Sequence, residues 1–211
     1  MRAGSTSGRM QRWIASCRAQ RTARTILATC RFCVRRVTVG RATATTPTSA
    51  HPMTDLVRTL AQGPAHAFSD WPVDAVPDVA AGVYAIWDQD RLVYVGMSGR
   101  GRSKEELDEL RAKGKRSGLF GRLASHASGA RSGDQFCVYV ADLLVLPHLS
   151  AEQMSAIGAR KLRFDTLVKD YVHERLTFRF METDDGAEAL RIEAQLKAGA
   201  LGQAPLLNPD S

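Results

Sequence analysis

Two β-rich runs, Gly82 to Trp87 and Arg91 to Met97, are separated only by the polar Asp88-Gln89-Asp90, and that spacing leaves little to build except a β-hairpin. A three-residue loop sets Tyr84 opposite Tyr94, Ile86 opposite Leu92 and Gly82 opposite Gly96. Period-two alternation then puts both phenols on one sheet face, with a glycine pair leaving room beside them. Two readings fit this arrangement. It is an aromatic cross-strand pair that only packs, or a site for a bulky anionic ligand.

The 211 residues suffice for one domain of ordinary size plus an extension. No run approaches the roughly 20 apolar residues of a membrane span, so no membrane partner is expected. Four cysteines (Cys17, Cys30, Cys33 and Cys137) are too few and too unevenly placed for a disulfide scaffold. Cys137 sits in an apolar, strand-like run from Phe136 to Val140, where a reduced buried thiol is the expectation. A reducing compartment follows: the cytoplasm, with association to the nucleoid left open.

The net charge of +7 conceals a division. Residues 1–52 hold ten arginines, no lysine and no acid, whereas the remainder holds 19 basic and 22 acidic residues, a balance of −3. Inside that remainder, residues 100–131 carry nine Lys/Arg against four Asp/Glu, a local +5 directly after Tyr94-Val95-Gly96. Arg100, Arg102, Lys113, Lys115 and Arg116 are its candidate nucleic-acid contacts. A basic patch beside a candidate site speaks for a polyanionic partner; a solvated helix surface is the other reading.

Three readings compete for residues 1–52: an organelle-targeting segment, a disordered basic arm for nucleic acid, or sequence translated upstream of a natural start at Met53. The balanced composition that begins after Met53 favours the third. Cys30 and Cys33 have C-x-x-C spacing, but Cys17 and His51 are poor partners for completing a zinc site.

Beyond that extension, residues 53–81 read as a short helix and an irregular lead-in broken by Pro64, Pro72 and Pro77. The domain proper spans 82–211, with a charged insertion over 99–118. A helix is predicted over Lys104–Lys113, opened by a Ser103/Glu106 capping box, and another over 119–128, closed by Gly129. Gln135 to Leu144 reads as a third strand. Helices follow from Ser150 to Lys161 and from Phe164 to Tyr171, then a strand from Arg175 to Met181. A last helix, capped by Thr183 or Asp184, reaches about Ala198. The fold class is therefore mixed α/β (α+β), with a small central antiparallel sheet of about three strands flanked by helices.

Two of these helices carry polar residues where apolar ones belong. On the last, Ala189, Ile192, Leu196 and Ala200 form a narrow apolar stripe, and Glu193 falls about 40° from Ala189. A carboxylate there needs a cation: a basic side chain at the core edge, or a divalent metal, for which one carboxylate completed by water and phosphate oxygens suits Mg²⁺. On helix 119–128, Leu119, Leu123 and His126 face inward, with Arg122 on the flank. Arg122 and His126 are i,i+4 neighbours, so both heads reach one place, and arginine is a natural partner for phosphate.

Taken in order, Gly82-Val83-Tyr84, Tyr94-Val95-Gly96, a helix bearing Arg122 and His126, a late helix bearing Glu193, and then Asn208 resemble the GIY-YIG nuclease family. The resemblance covers residues 82–208 and implies an endonuclease that hydrolyses DNA phosphodiester bonds with one divalent metal, Mg²⁺ or Mn²⁺; RNA is not excluded. It implies that Tyr84 is the general base or its proton relay, that Tyr94 positions water or phosphate, and that Arg122 stabilises charge on the phosphate. His126 would polarise Tyr84 or water, Glu193 would hold the metal, and Asn208 would tie the C-terminal segment to the site. Gly82 and Gly96 are structural there. For Tyr84 to act as a base near neutral pH, positive charge must lower its pKa. The insertion at 99–118 and the stretch from Leu143 to His173 are long for the family. Met97 stands where a basic residue is frequent, a part left to Arg100 or Arg102. Two other functions compete: a nucleic-acid-binding module on the same fold without chemistry, and an interaction domain whose tyrosines are structural.

Overall fold

The hairpin forms, in a register other than the predicted one. The structure is a computed structural model and describes residues 52–208. The loop has two residues, because Asp88 pairs with Arg91, and Gln89 takes the positive φ of 57° that so tight a turn requires. Trp87 pairs with Leu92 but Ile86 pairs with Tyr94, so Val93 is the extra residue of a β-bulge. Beyond the bulge Tyr84 lies opposite Gly96 and Gly82 opposite Ser98, correcting the expected Tyr84–Tyr94 and Gly82–Gly96 pairs.

The bulge has a consequence for the side chains. A two-residue loop alone would send Tyr94 to the face opposite Tyr84, since sides alternate along a strand. The additional residue restores the phase. Val93 and Tyr94 both meet the core that holds Tyr84 and Ile86, while Leu92 and Val95 join the core on the other face.

Around the hairpin the order is α1 (Pro52–Gln62), β1 (His66–Ala67), β2 (Val79–Asp88), β3 (Arg91–Ser98), α2 (Lys104–Ala112), β4 (Ser117–Gly118) and α3 (Leu119–Ser128). Then come α4 (Gln135–Tyr139, continued as a π-helical turn to Val145), α5 (Ala151–Gly158), α6 (Phe164–Arg175), β5 (Leu176–Thr183) and α7 (Gly186–Gln195). The sheet has five strands rather than three: β5, β2 and β3 form an antiparallel centre in the order β1-β5-β2-β3, and two-residue β4 runs parallel to the start of β2. Both additional strands are two residues long, too short to leave a periodic pattern.

The predicted strand over Gln135–Leu144 is a helix. Asp134 caps it, accepting from Phe136 N, and Phe136, Cys137, Val140, Ala141 and Val145 are buried at helical spacing. The local caps match expectation better. The Ser103/Glu106 box forms, and α3 ends on left-handed Gly129. The N-cap of α7 is Asp185, one residue past the expected caps.

Helices cover both sheet faces. α3, α4 and α6 bury Leu119, Leu123, Phe136, Val168 and Val172 against Tyr84 and Ile86; α1 and α7 bury Leu60, Ala189 and Ile192 against Val83, Ala85 and Val95. Gly82 permits this close fit: a Cβ there would stand 2.3 Å from Met181 O and 2.8 Å from Leu119 Cδ1. The outer edge of β3 is closed by the segment after α7. Leu206 N and Leu207 N donate to Leu92 O and Val93 O, and Gln203 Oε1 accepts from Leu92 N. Asn208 pairs its amide with Val95, accepting from N at 2.8 Å and donating to O at 2.9 Å. Among the described residues no helix is long and apolar enough to cross a membrane. The readings made for residues 1–51, the Cys30/Cys33 pair among them, lie outside the described residues.

Replacing Asn208 with Ala removes both bonds to Val95 and should cost about 1–2 kcal/mol, seen as a lower urea midpoint with an unchanged m-value.

Candidate active site

Tyr84 is held by what lies beneath it. A Cβ on Gly96 would sit 2.3 Å from the Tyr84 Oη and 2.5 Å from Cζ, so the ring occupies the volume that a side chain at 96 would need. That placement brings Tyr84 Oη within 2.8 Å of His126 Nε2, both groups buried. On the far side of the imidazole, Nδ1 lies 2.6 Å from Asp134 Oδ2, also buried. The carboxylate of Asp134 accepts from Phe136 N at 3.1 Å and from Cys137 Sγ at 3.6 Å. Phenol, imidazole and carboxylate thus form one buried chain.

The rest of the aromatic shell is Tyr94 and Phe136. Tyr94 is partly exposed, its ring centroid 6.4 Å from that of Tyr84 and 6.0 Å from His126, edge-on to the latter. Phe136 lies 4.5 Å from the imidazole.

Burial dominates the titration of these groups. It raises Tyr84 well above the ordinary 10, with the neighbouring Tyr94 adding to the rise and Arg122 opposing it. Burial, then the charge of Glu193, pushes Tyr94 up to about 12, again against Arg122. The lowering that a free phenolate base would require is therefore not found: one guanidinium does not outweigh desolvation. Burial holds His126 below its ordinary 6.5, although Asp134 pulls it upward. For Asp134 burial acts to raise the pKa but is outweighed by the hydrogen bond and charge of His126, leaving the carboxyl below 3.8.

Arg122 is exposed and makes no hydrogen bond or ion pair among the described residues, yet its charge registers on Tyr84, Tyr94 and His126. Glu193 is 7 % exposed, as its place on the apolar stripe predicts, and its charge also registers on both phenols. Its partners are cations: Lys197 Nζ lies 3.0 Å from Oε1, and Arg100 Nη2 lies 3.8 Å from Oε2. Among the described residues no cluster of three or more His, Cys, Asp or Glu side chains is placed to hold a metal. A hydrated Mg²⁺ needs fewer protein ligands than that, and the Oε2 of Glu193, whose partner among the described residues is a long contact to a largely exposed arginine, fits such an ion.

The basic patch is less uniform than its sequence. Arg116 pairs with Asp78 at 2.9 Å and lies over the ring of Phe120, and Lys113 pairs with Glu109 at 3.2 Å. Arg102 and Lys115 are exposed without ion pairs among the described residues. Of the five, only Arg100 touches a candidate site residue.

Asp134 is the member that sequence reasoning missed. Its signal was present: an aspartate after Gly133, followed by apolar residues at helical spacing, is an N-cap pattern. Reading that run as a strand hid the cap and the imidazole partner together. With this geometry in hand, comparison against protein-family models, curated proteins and solved structures found no match to the chain.

Two outcomes are expected. Gly96→Ala must displace the Tyr84 ring from His126 and should cost about 1–3 kcal/mol, measured by urea denaturation. His126 binds its proton less readily folded than unfolded, so its contribution to stability is intact above pH 6.5 and is lost as pH falls below that value. Thermal melts of the wild type should drop on acidification from pH 6.5 to about 5, and those of His126→Gln should drop less.

Proposed function

We propose that the protein is a metal-dependent endonuclease that hydrolyses DNA phosphodiester bonds, with a site of the GIY-YIG kind. One observation carries this: the Tyr84–His126 hydrogen bond lies in the electrostatic reach of an exposed arginine without an ion pair among the described residues and of a buried glutamate. A purely structural tyrosine pair requires neither an open guanidinium nor a buried carboxylate beside it.

Tyr84 acts as a relay with no free phenolate. As the water oxygen bonds to phosphorus, a water proton moves to Tyr84 Oη while the phenolic proton moves to His126 Nε2, a concerted transfer suited to a phenol whose pKa burial has raised. The phosphorus–sugar oxygen bond breaks, the leaving oxygen takes a proton from solvent, and His126 returns its own to solvent between turnovers. Arg122 compensates the charge that builds on the phosphate, which is where fixed positive charge acts most strongly. Tyr94, partly exposed with its ring 6.4 Å from that of Tyr84, orients the incoming group. A divalent ion held by Glu193 would supply neutralisation of the phosphate and the leaving oxygen. Arg100, Arg102 and Lys115 lie ready for backbone phosphates. Asn208 keeps β3, and with it Tyr94, in place.

A second reading, a nucleic-acid-binding module without chemistry, is favoured by the 1 % exposure of Tyr84, which leaves its hydroxyl little access to water. Incubating the full chain with supercoiled, linear and branched DNA, with and without Mn²⁺, separates the two. Cleavage that requires the metal supports the nuclease; salt-sensitive binding with intact DNA supports the module. In the nuclease, Arg122→Ala and Glu193→Ala should each lower the cleavage rate on the order of 10²–10³-fold while the fold survives. Undiminished cutting by either variant would remove that residue from the site.

A further inference from the structure

The chain of contacts behind Tyr84 has a polarity, and it is set at its buried end. Asp134 takes a backbone N–H from Phe136 on Oδ1, and on Oδ2 it takes the Cys137 thiol and faces His126 Nδ1. Every other group that reaches this carboxylate is a donor, so the imidazole nitrogen that faces it must also donate. With Nδ1 protonated, a neutral ring has its lone pair on Nε2, which lies 2.8 Å from the Tyr84 hydroxyl. The phenol then has one direction open to it: it donates to His126.

We propose that Asp134 is a positioning residue for the reaction, fixing His126 as the Nδ1–H tautomer so that Nε2 stands open to the proton of Tyr84. The inference deepens the nuclease reading and rests on it for its catalytic half. Its structural half, which nitrogen carries the proton, is independent of any activity. Proton balance is kept: the Tyr84 O–H bond breaks, the His126 Nε2–H bond forms, and the imidazolium is held against the Asp134 carboxylate until its Nε2 proton leaves to solvent.

The backbone supplies a selective test. In Asp134→Asn the amide must turn its oxygen toward Phe136 N–H, because the opposite orientation sets two donors against each other. Its NH₂ group then faces His126 Nδ1 and donates to it, forcing the proton onto Nε2 and closing the acceptor that Tyr84 uses. The helix cap and the volume of the side chain are retained, so the ring tautomer changes with little else.

In full-length protein labelled with ¹⁵N-histidine, the wild-type His126 should show a protonated Nδ1 and a bare Nε2 at neutral pH. Asp134→Asn should reverse the two, and Tyr84→Phe should leave the wild-type pattern in place. In plasmid cleavage with Mn²⁺, Asp134→Asn should lose activity on the order of 10²-fold or more, mainly in kcat with KM for DNA little changed. Combined with His126→Gln, it should add almost no further loss, because Asp134 works through the imidazole. A wild-type ring protonated at Nε2, or a Tyr84→Phe ring that flips, would overturn the assignment even if the asparagine variant fails to fold. Additive losses in the double variant would reduce Asp134 to a structural residue. If the wild type cuts no DNA while the ring spectra come out as described, the nuclease reading fails and the tautomer assignment stands.

Discussion

Val93 governs the geometry of the site. A two-residue turn between β2 and β3 fixes an alternation in which Tyr84 and Tyr94 point to opposite sides of the sheet, and the single extra residue of the bulge cancels that offset. Tyr84 then lands across from Gly96, where the absence of a side chain lets its ring lie down against β3. Only in that posture does the hydroxyl reach an imidazole on α3, and Gly82 in turn lets α3 approach closely enough to offer one. Turn length, bulge and two glycines combine to aim one atom.

The site is built against the ordinary tendency of a core. Tyr84, His126 and Asp134 lie among the apolar side chains of one core and Glu193 on the helix that covers the other sheet face, and each is tolerated because it is partnered. Partnering does not make them easy to charge. Burial works against charging the phenols and the imidazole, and Arg122, exposed and without an ion pair among the described residues, is left as positive charge without a partner beside them. An anion that reaches Arg122 relieves that imbalance from outside, so the resting electrostatics and the proposed substrate agree in sign.

What the sequence disclosed depended on range. The Ser103/Glu106 box and Gly129 were legible because caps are decided within four residues. The hairpin was legible, but its register was not: Leu92, Val93 and Val95 are all apolar, so either phase buries oil-like side chains and nothing marks the bulge. The stretch Phe136–Val140 is rich in aromatic and β-branched residues, and tertiary burial at helical spacing overrode that β tendency. Glu193 stood out as an acid within an apolar stripe that needs a cation; the structure supplies one locally in Lys197, four residues on. Arg100 was not, since it arrives from another part of the chain. The pairing of His126 with Asp134 was hidden for a similar reason: it joins the end of one helix to the cap of the next across a loop whose path no periodicity describes.

Asn208 does for β3 what another strand would otherwise do. Val95 gives both its N–H and its carbonyl to one carboxamide, a side chain 113 residues distant in sequence that mimics a peptide unit. From Leu92 to Val95 the outer rim of the sheet is thus finished by a tethered segment and its amide rather than by a neighbouring ladder, which leaves less of the edge for a second molecule to build on. Solvent exchange at Val95 therefore follows the undocking of that tether, a local opening distinct from the loss of the sheet, and it marks the moment at which the border beneath Tyr94 comes loose.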